Sequence, residues 1–267
     1  MLPTSLATAG ARQMERHVSA QLNSTLQPMV RKLAHWAKFD AADEAAILGL
    51  SHRTKIIPRN GYIAREREET THSCLLISGF AMRHKIVAEG ERQILAIHMK
   101  GDLVDLQNAM LGVADHSVQA LTDLEVALIP HAAIRQLALQ RPVVGIAMWT
   151  DTLVDASVFR EWVANVGRRD ARTRIAHLLC EFSLRLKVAG LGKTTEYELA
   201  MTQEHIADCT GLTAVHVNRM LKLLESEKLI SRRTSRSVTI GDWNRLAKVG
   251  DFDSTYLHLA VDEVALT

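Results

Sequence analysis

Asn218, Arg219 and Lys222 are the residues of this 267-residue chain whose types and spacing most directly suggest chemistry. A guanidinium can donate paired hydrogen bonds to O6 and N7 of guanine, and a carboxamide can pair with adenine. On a helix these three share the outward face with Ala214 and Val215. His216 can reach a base edge or a phosphate, and Val215 can touch only a thymine methyl. No arrangement of comparable specificity points to catalysis. The chain has no Walker loop, GxSxG, HExxH or carboxylate pair spaced for acid–base work, so an enzyme is not expected. Cys74, Cys180 and Cys209 lie far apart without a CxxC pair. That argues against a disulfide framework and a structural zinc site, and no metal is expected.

A base-reading helix needs elements that hold it. In "MTQEHIADCTGLTAVHVNRMLKLLESEKLI" (201–230), Thr202 can cap a first helix through its hydroxyl. Gly211 ends that helix by accepting a left-handed backbone. Thr213 caps a second helix, Ala214 to Glu225. Ile206, Ala207, Leu212, Val217, Met220, Leu221 and Leu224 supply a small shared core, with Ala207 small where the helices cross. This fits the helix-turn-helix, whose second helix lies in the DNA major groove. Thr202 and Gln203 at the start of the first helix, with Thr213, join the candidate DNA-binding set. Next, "KLISRRTSRSVTIGD" reads as strands Leu229–Ser231 and Ser237–Ile240 around a basic turn. Arg232, Arg233 and Arg236 would reach phosphates from this wing, positioning the protein without reading sequence.

The rest of the chain divides by texture. The composition is 47% apolar, 23% charged and only 4% aromatic, and net charge is +2, so local clusters must indicate partners. Residues 1–30 read as a loose arm or a short helix. From Lys55 to Pro130 short apolar runs are punctuated by glycines, with a hairpin turn at Glu89-Gly90. They predict a β-roll of about eight strands in a domain over 31–141. Pro142 opens a proline-free run to Val166, a helix about 37 Å long. Ile146, Trp149, Leu153, Ala156, Val163 and Val166 form an apolar stripe that Val154 and Val158 widen. It suits pairing with a second copy, and residues 142–167 are read as a dimerisation helix, the alternative being a long core helix with no dimer. Gly167 marks a break and an interdomain hinge. Residues 168–245 form the winged helix-turn-helix, entered by a helix with Ile175, Leu178, Leu179, Phe182 and Leu186 on one side. Residues 246–267 are a tail, and just before it Asp242 suggests the cap of a further helix.

β-roll, long helix and winged helix together resemble the Crp/Fnr family of bacterial transcription regulators, an α+β fold. The resemblance covers roughly residues 30–245 and is most specific in 202–230. "GDLVDLQ", "HSVQALTDLEVALIP" and "RRDARTRIAHLLCE" are similar to further stretches of the family. It implies a homodimer on a two-fold symmetric double-stranded DNA operator, with RNA polymerase as a further partner. The departures carry equal information. Cyclic-nucleotide-binding members have a glycine-glutamate pair where Asp105 and Leu106 stand here, and an arginine before serine or threonine where His116-Ser117 stand. Leucine cannot accept a ribose hydroxyl, and neutral histidine poorly replaces a guanidinium, so this degenerate effector pocket is not expected to bind cyclic AMP. No cysteine precedes Cys74, which disfavours the iron–sulfur cluster of oxygen-sensing relatives. No cofactor is expected. Haem stays open through His72, His84, His98 and His116, and Cys74 as a redox switch stands beside it. Many members begin the recognition helix with arginine-glutamate where this chain has Ala214-Val215, whereas Arg219 matches the family's arginine.

No apolar run reaches roughly eighteen residues and the start lacks a secretory pattern, so no membrane association and a cytoplasmic location are expected. The alternative function is a protein–protein adaptor using the same surfaces only for docking. Steeply salt-dependent DNA binding discriminates the two. No motif identifies an effector.

Overall fold

The structure, a computed structural model, describes residues 25–234 and 236–259. Most of the expected arm and the end of the expected tail lie outside the described residues. Helix α1 (Gln27–Ala34) and its N-cap Leu26 bury Leu26, Met29, Val30 and Leu33, so residues 26–30 belong to the core of the N-terminal domain. Helix α2 (Ala41–Leu48) starts at Asp40, whose carboxylate accepts from the Asp43 amide at 2.7 Å.

Eight strands follow: β1 (Arg53–Ile57), β2 (Tyr62–Ala64), β3 (His72–Ser78), β4 (Ala81–Ile86), β5 (Arg92–His98), β6 (Leu103–Val104), β7 (Ser117–Ala120) and β8 (Leu124–Pro130). They form two four-stranded antiparallel sheets, ordered β1-β8-β3-β6 and β2-β7-β4-β5. Ile57, Cys74, Leu76, Val104, Val118 and Val126 are buried together as one core cluster drawn from both sheets. The β4–β5 hairpin turns at Gly90, whose φ of 82° is left-handed, as the Glu89-Gly90 pair predicts. Between β6 and β8 lies the short helix α3 (Asn108–Leu111).

Helices α4 (His131–Gln140) and α5 (Pro142–Arg168) leave the roll. On α5, Val144, Ala147, Met148, Val158 and Trp162 are buried against the chain's own core. Ile146, Trp149, Leu153, Ala156 and Val163 remain exposed; Trp149 keeps 66% of its surface and Val163 58%. Val158, expected to widen the exposed stripe, instead points inward. Gly167 does not break the helix. It has open space around it, and a glycine inside a helix costs only about 1 kcal/mol. The chain turns two residues later, where Asp170 caps α6 (Ala171–Val188) by accepting from the Thr173 amide at 2.9 Å.

The C-terminal domain adds β9 (Glu196–Glu198), α7 (Gln203–Thr210), α8 (Ala214–Ser226), β10 (Ile230–Ser231), β11 (Ser237–Ile240) and α9 (Trp243–Val249). Its sheet is ordered β10-β11-β9, the third strand being one the sequence reading did not anticipate. The boundary expected at 246 falls inside α9, which Asp242 caps. Leu246 and Leu257 are buried, and a side chain on Gly250 would lie 2.7 Å from the His177 amide nitrogen. The segment to Leu257 is therefore part of the C-terminal domain.

The two domains share one core. Met82, Ile94 and Ile97 of the roll are buried in the same cluster as Trp162, Phe182 and Ile206. Glu181, 1% exposed, is buried alongside it. Its Oε2 accepts from Trp162 Nε1 at 2.9 Å and from the Tyr256 hydroxyl at 2.8 Å; its Oε1 accepts from Arg185 at 3.3 Å. Arg185 also donates to the Ile97 carbonyl at 2.7 Å and lies 3.5 Å from Asp102. A buried charge stripped of its partner is strongly destabilising. Glu181→Ala should therefore lower the unfolding free energy by about 3–5 kcal/mol in urea titrations. A loss below about 1 kcal/mol would mean that the carboxylate is not the desolvated hub described here.

Candidate DNA interface and sensor interior

Local chemistry builds the helix-turn-helix from its caps. Thr202 Oγ1 accepts from the His205 amide at 3.2 Å, and His205 Nδ1 faces the Thr202 amide at 3.3 Å, closing a capping box with histidine in the reciprocal role. Gly211 takes the left-handed conformation at φ 63°. Thr213 caps α8, its hydroxyl accepting from the His216 amide at 3.2 Å. Arg174 donates to the Thr210 carbonyl at 2.9 Å, placing a cation at the C-terminal end of α7. Val217, Leu221 and Leu224 are buried beneath α8.

Opposite them, Val215, Arg219 and Lys222 are exposed, with Ala214, His216 and Asn218 half-buried. Thr202 and Gln203 are half-buried at the start of α7. On the wing, Thr234 and Ser237 shape the tip. The Thr234 hydroxyl accepts from the amides of Arg236 and Ser237, and the Ser237 hydroxyl from those of Arg233 and Thr234. Arg233 and Arg236 project into solvent. Arg232 does not. Its guanidinium forms a two-pronged pair with Glu225 of α8, at 2.9 and 3.0 Å, and holds that carboxyl below its usual range through the hydrogen bond. Arg232 therefore ties the wing to α8 rather than projecting into solvent.

One set of contacts had no sequence signal. Arg92 pairs with Asp208 of α7 at 2.8 Å, and the Gln93 carboxamide donates to the Asp208 carbonyl at 2.7 Å. The first helix of the DNA-reading unit is thus docked on β5 of the sensor.

Inside the roll, Asp105 is buried with φ 58°, a left-handed backbone that a glycine adopts more easily. Its Oδ1 faces His116 Nε2 at 2.7 Å and lies 3.7 Å from Arg83. His116 is itself buried, and its Nδ1 meets Asp115. Arg83 continues to Asp155 of α5 at 2.6 Å. Desolvation opposes the Asp155 charge, yet Arg83 outweighs it and holds the carboxyl below its ordinary value. Asp105 and His116, two of the four degenerate-pocket residues, are thus joined with Arg83 in one polar network. Ser117 lies beside it, its hydroxyl accepting from the Glu66 amide at 3.1 Å. Leu106 belongs instead to the helical core with Leu26, Met29 and Ile134. Arg83 was missed by sequence reasoning; its signal is a single arginine in the otherwise buried run Ala81-Met82-Arg83-His84.

Of the histidines considered as haem ligands, His84, His98 and His116 are buried, His116 between two carboxylates, and His72 meets Thr71 at 2.7 Å. Burial, with Asp105 adding to it, pushes the Cys74 thiol well above its ordinary range. Among the described residues no group of three or more His, Cys, Asp or Glu side chains could hold a metal ion. No described helix is long and apolar enough to cross a membrane.

Comparison with known proteins agrees with both halves. Residues 54–141 match the family model of the cyclic nucleotide-binding domain, and residues 173–249 match that of the Crp-like helix-turn-helix domain. The nitrogen fixation regulation protein FixK of Azorhizobium caulinodans is 25% identical over 213 residues, covering 78% of this chain and 85% of that protein. The transcriptional activator protein FnrL of Cereibacter sphaeroides is 28% identical over 182 residues, 67% of this chain and 73% of that one. The structure of FixK2 from Bradyrhizobium japonicum shares the fold, with a TM-score of 0.70 at 23% identity over 75% of this chain and 98% of that one. A sensor-type roll joined by a long helix to a capped, winged DNA-reading unit, in a chain that aligns with these regulators through both parts, belongs to the Crp/Fnr family of DNA-binding transcription regulators.

Proposed function

We propose that this regulator acts as a homodimer paired along α5, setting two copies of α8 in successive major grooves of a two-fold symmetric operator. The observation that carries the reading is the exposed stripe Ile146, Trp149, Leu153, Ala156 and Val163 on a helix whose other face is already buried. Apolar residues three and four apart on one face of a long helix are the pattern of a helix–helix seam. Leu153→Glu should convert dimer to monomer in sedimentation velocity. A dimer of unchanged strength would place the contact elsewhere.

Arg219 is assigned to direct base reading, with Asn218, His216 and Val215 as neighbouring contacts. Thr202, Gln203, Thr213, Ala214, Lys222, Arg233 and Arg236 position the backbone. Arg219→Ala should cost about 1–3 kcal/mol on the preferred operator and relax selectivity at one base pair per half-site. Arg233→Ala and Arg236→Ala should each weaken binding to all sequences and lower the salt slope by about 1. Arg232→Ala should leave that slope unchanged. Fluorescence anisotropy across a salt series, on fragments selected from a genomic library, checks all four. A reduced slope in Arg232→Ala, or unchanged selectivity in Arg219→Ala, contradicts the assignment. A chain that ignores such fragments at low ionic strength would be a docking adaptor instead.

The sensor is assigned no cyclic nucleotide. Asp105 pairs with His116 and Arg83, and its carboxylate would repel a cyclic phosphate. Isothermal titration should show no saturable binding of cyclic AMP at micromolar concentration; a micromolar dissociation constant overturns this. RNA polymerase is the further partner and the cytoplasm the location that this role implies.

A further inference from the structure

A cavity of about 250 Å³ opens where α1, the β5–β6 turn, α5 and the end of α6 meet, touching the ion network of the roll interior only at Asp155. Ligand pockets commonly measure ~300–1,000 Å³, so this one suits a small molecule. Its apolar wall includes Trp36, Leu103, Leu106, Val158 and Leu257. Its polar wall is already organised. Lys32 donates to Asp102 at 2.9 Å and lies 3.7 Å from Asp151, while Trp36 Nε1 donates to Asp151 at 3.0 Å.

The charges decide which ligand fits. Each lining carboxylate has a partner: Asp102 has Lys32 and Arg185, Asp151 has Trp36, and Asp155 has Arg83. Two lining cations, Arg31 and Lys100, are exposed and form no ion pair among the described residues. His98 lines the same cavity at 4% exposure, and its Nε2 has no hydrogen-bond partner among the described residues. A buried nitrogen of this kind calls for a polar partner. The surplus is therefore cationic and hydrogen-bonding over an apolar wall.

We propose that this cavity is an effector site for a small organic anion: one carboxylate-type head set among Lys100, Arg31 and His98, and an apolar body against Trp36 and Leu103. Its walls come from the sensor, from α5 and from α6 of the DNA-binding domain, so occupation acts on the joint between sensing and reading parts. Binding at the cavity does not depend on the DNA assignment; only its effector role does.

Octanoate, octanol and octylamine, equal in chain length, are the probes, titrated by calorimetry into the full chain. Octanoate is expected to saturate at one site per chain, with octanol and octylamine weaker by on the order of tenfold or more, the value of one lost charge-assisted contact. Lys100→Glu, an exposed change that leaves folding intact, should weaken octanoate by a similar factor. Val188→Trp, which fills the cavity, should abolish it with circular dichroism unchanged. Octanoate should also shift the affinity for a selected DNA fragment by about fivefold or more. Absence of saturable octanoate binding, equal binding of octylamine, or unaltered affinity in Lys100→Glu overturns the site. Binding without a shift in DNA affinity overturns its effector role. Failure to bind DNA in the octanoate-free arm counts against the DNA assignment and leaves the cavity result standing.

Discussion

The architecture depends on a run of buried and half-buried charges that crosses from sensor to DNA-binding domain. Asp151 of α5 is held by Trp36 beside α1, and Lys32 of α1 donates to Asp102 at the β5–β6 turn. Asp102 lies against Arg185 of α6, which pairs with Glu181, and Glu181 returns to α5 through Trp162 and to the C-terminal segment through Tyr256. Removing such groups from water costs several kcal/mol per ion unless each is paired with good geometry. Desolvation works against the Asp102 charge, but Lys32, His98 and Arg185 outweigh it and hold the carboxyl far below its ordinary range. That contribution is fully present above the unfolded value near ~3.9 and is lost only as pH falls into strong acid. At physiological pH the network is a fixed constraint.

Two consequences follow for signalling. The roll interior is tied to the long helix by its own residues, because Arg83 bridges Asp105 and Asp155. A signal there must compete with an ion network. The docking of α7 on β5 through Arg92 and Asp208 means that the reading unit is oriented by the sensor surface as well as by α5. The β4–β5 hairpin thus touches the first helix of the DNA-reading unit directly.

Local features of this fold were legible in the sequence. Thr202, Gly211 and Thr213 announce the helix-turn-helix because caps and left-handed turns act within a few residues. The strands are legible from alternating apolar runs, and the apolar spacing of α5 from its period. What the sequence hid depends on partners distant in the chain. Arg92 meets Asp208 across 116 positions and Arg83 meets Asp155 across 72. Arg232 reads as a phosphate contact from its basic neighbours, and only the position of Glu225 one element earlier turns it inward. Gly167 reads as a break because glycine weakens helices, yet Asp170 offers the stronger start signal and sets the true corner. Leu106 and Asp105 are adjacent in sequence but belong to different interiors, which the left-handed backbone at Asp105 accompanies.

Hydrogen exchange on the native protein and on Arg185→Met tests most directly whether this network makes one unit of two domains. Amides of β5 around Ile97 and of α7 around Ile206 should lose protection together when the guanidinium is removed. Loss of protection confined to α6, with β5 and α7 unaffected, would contradict it.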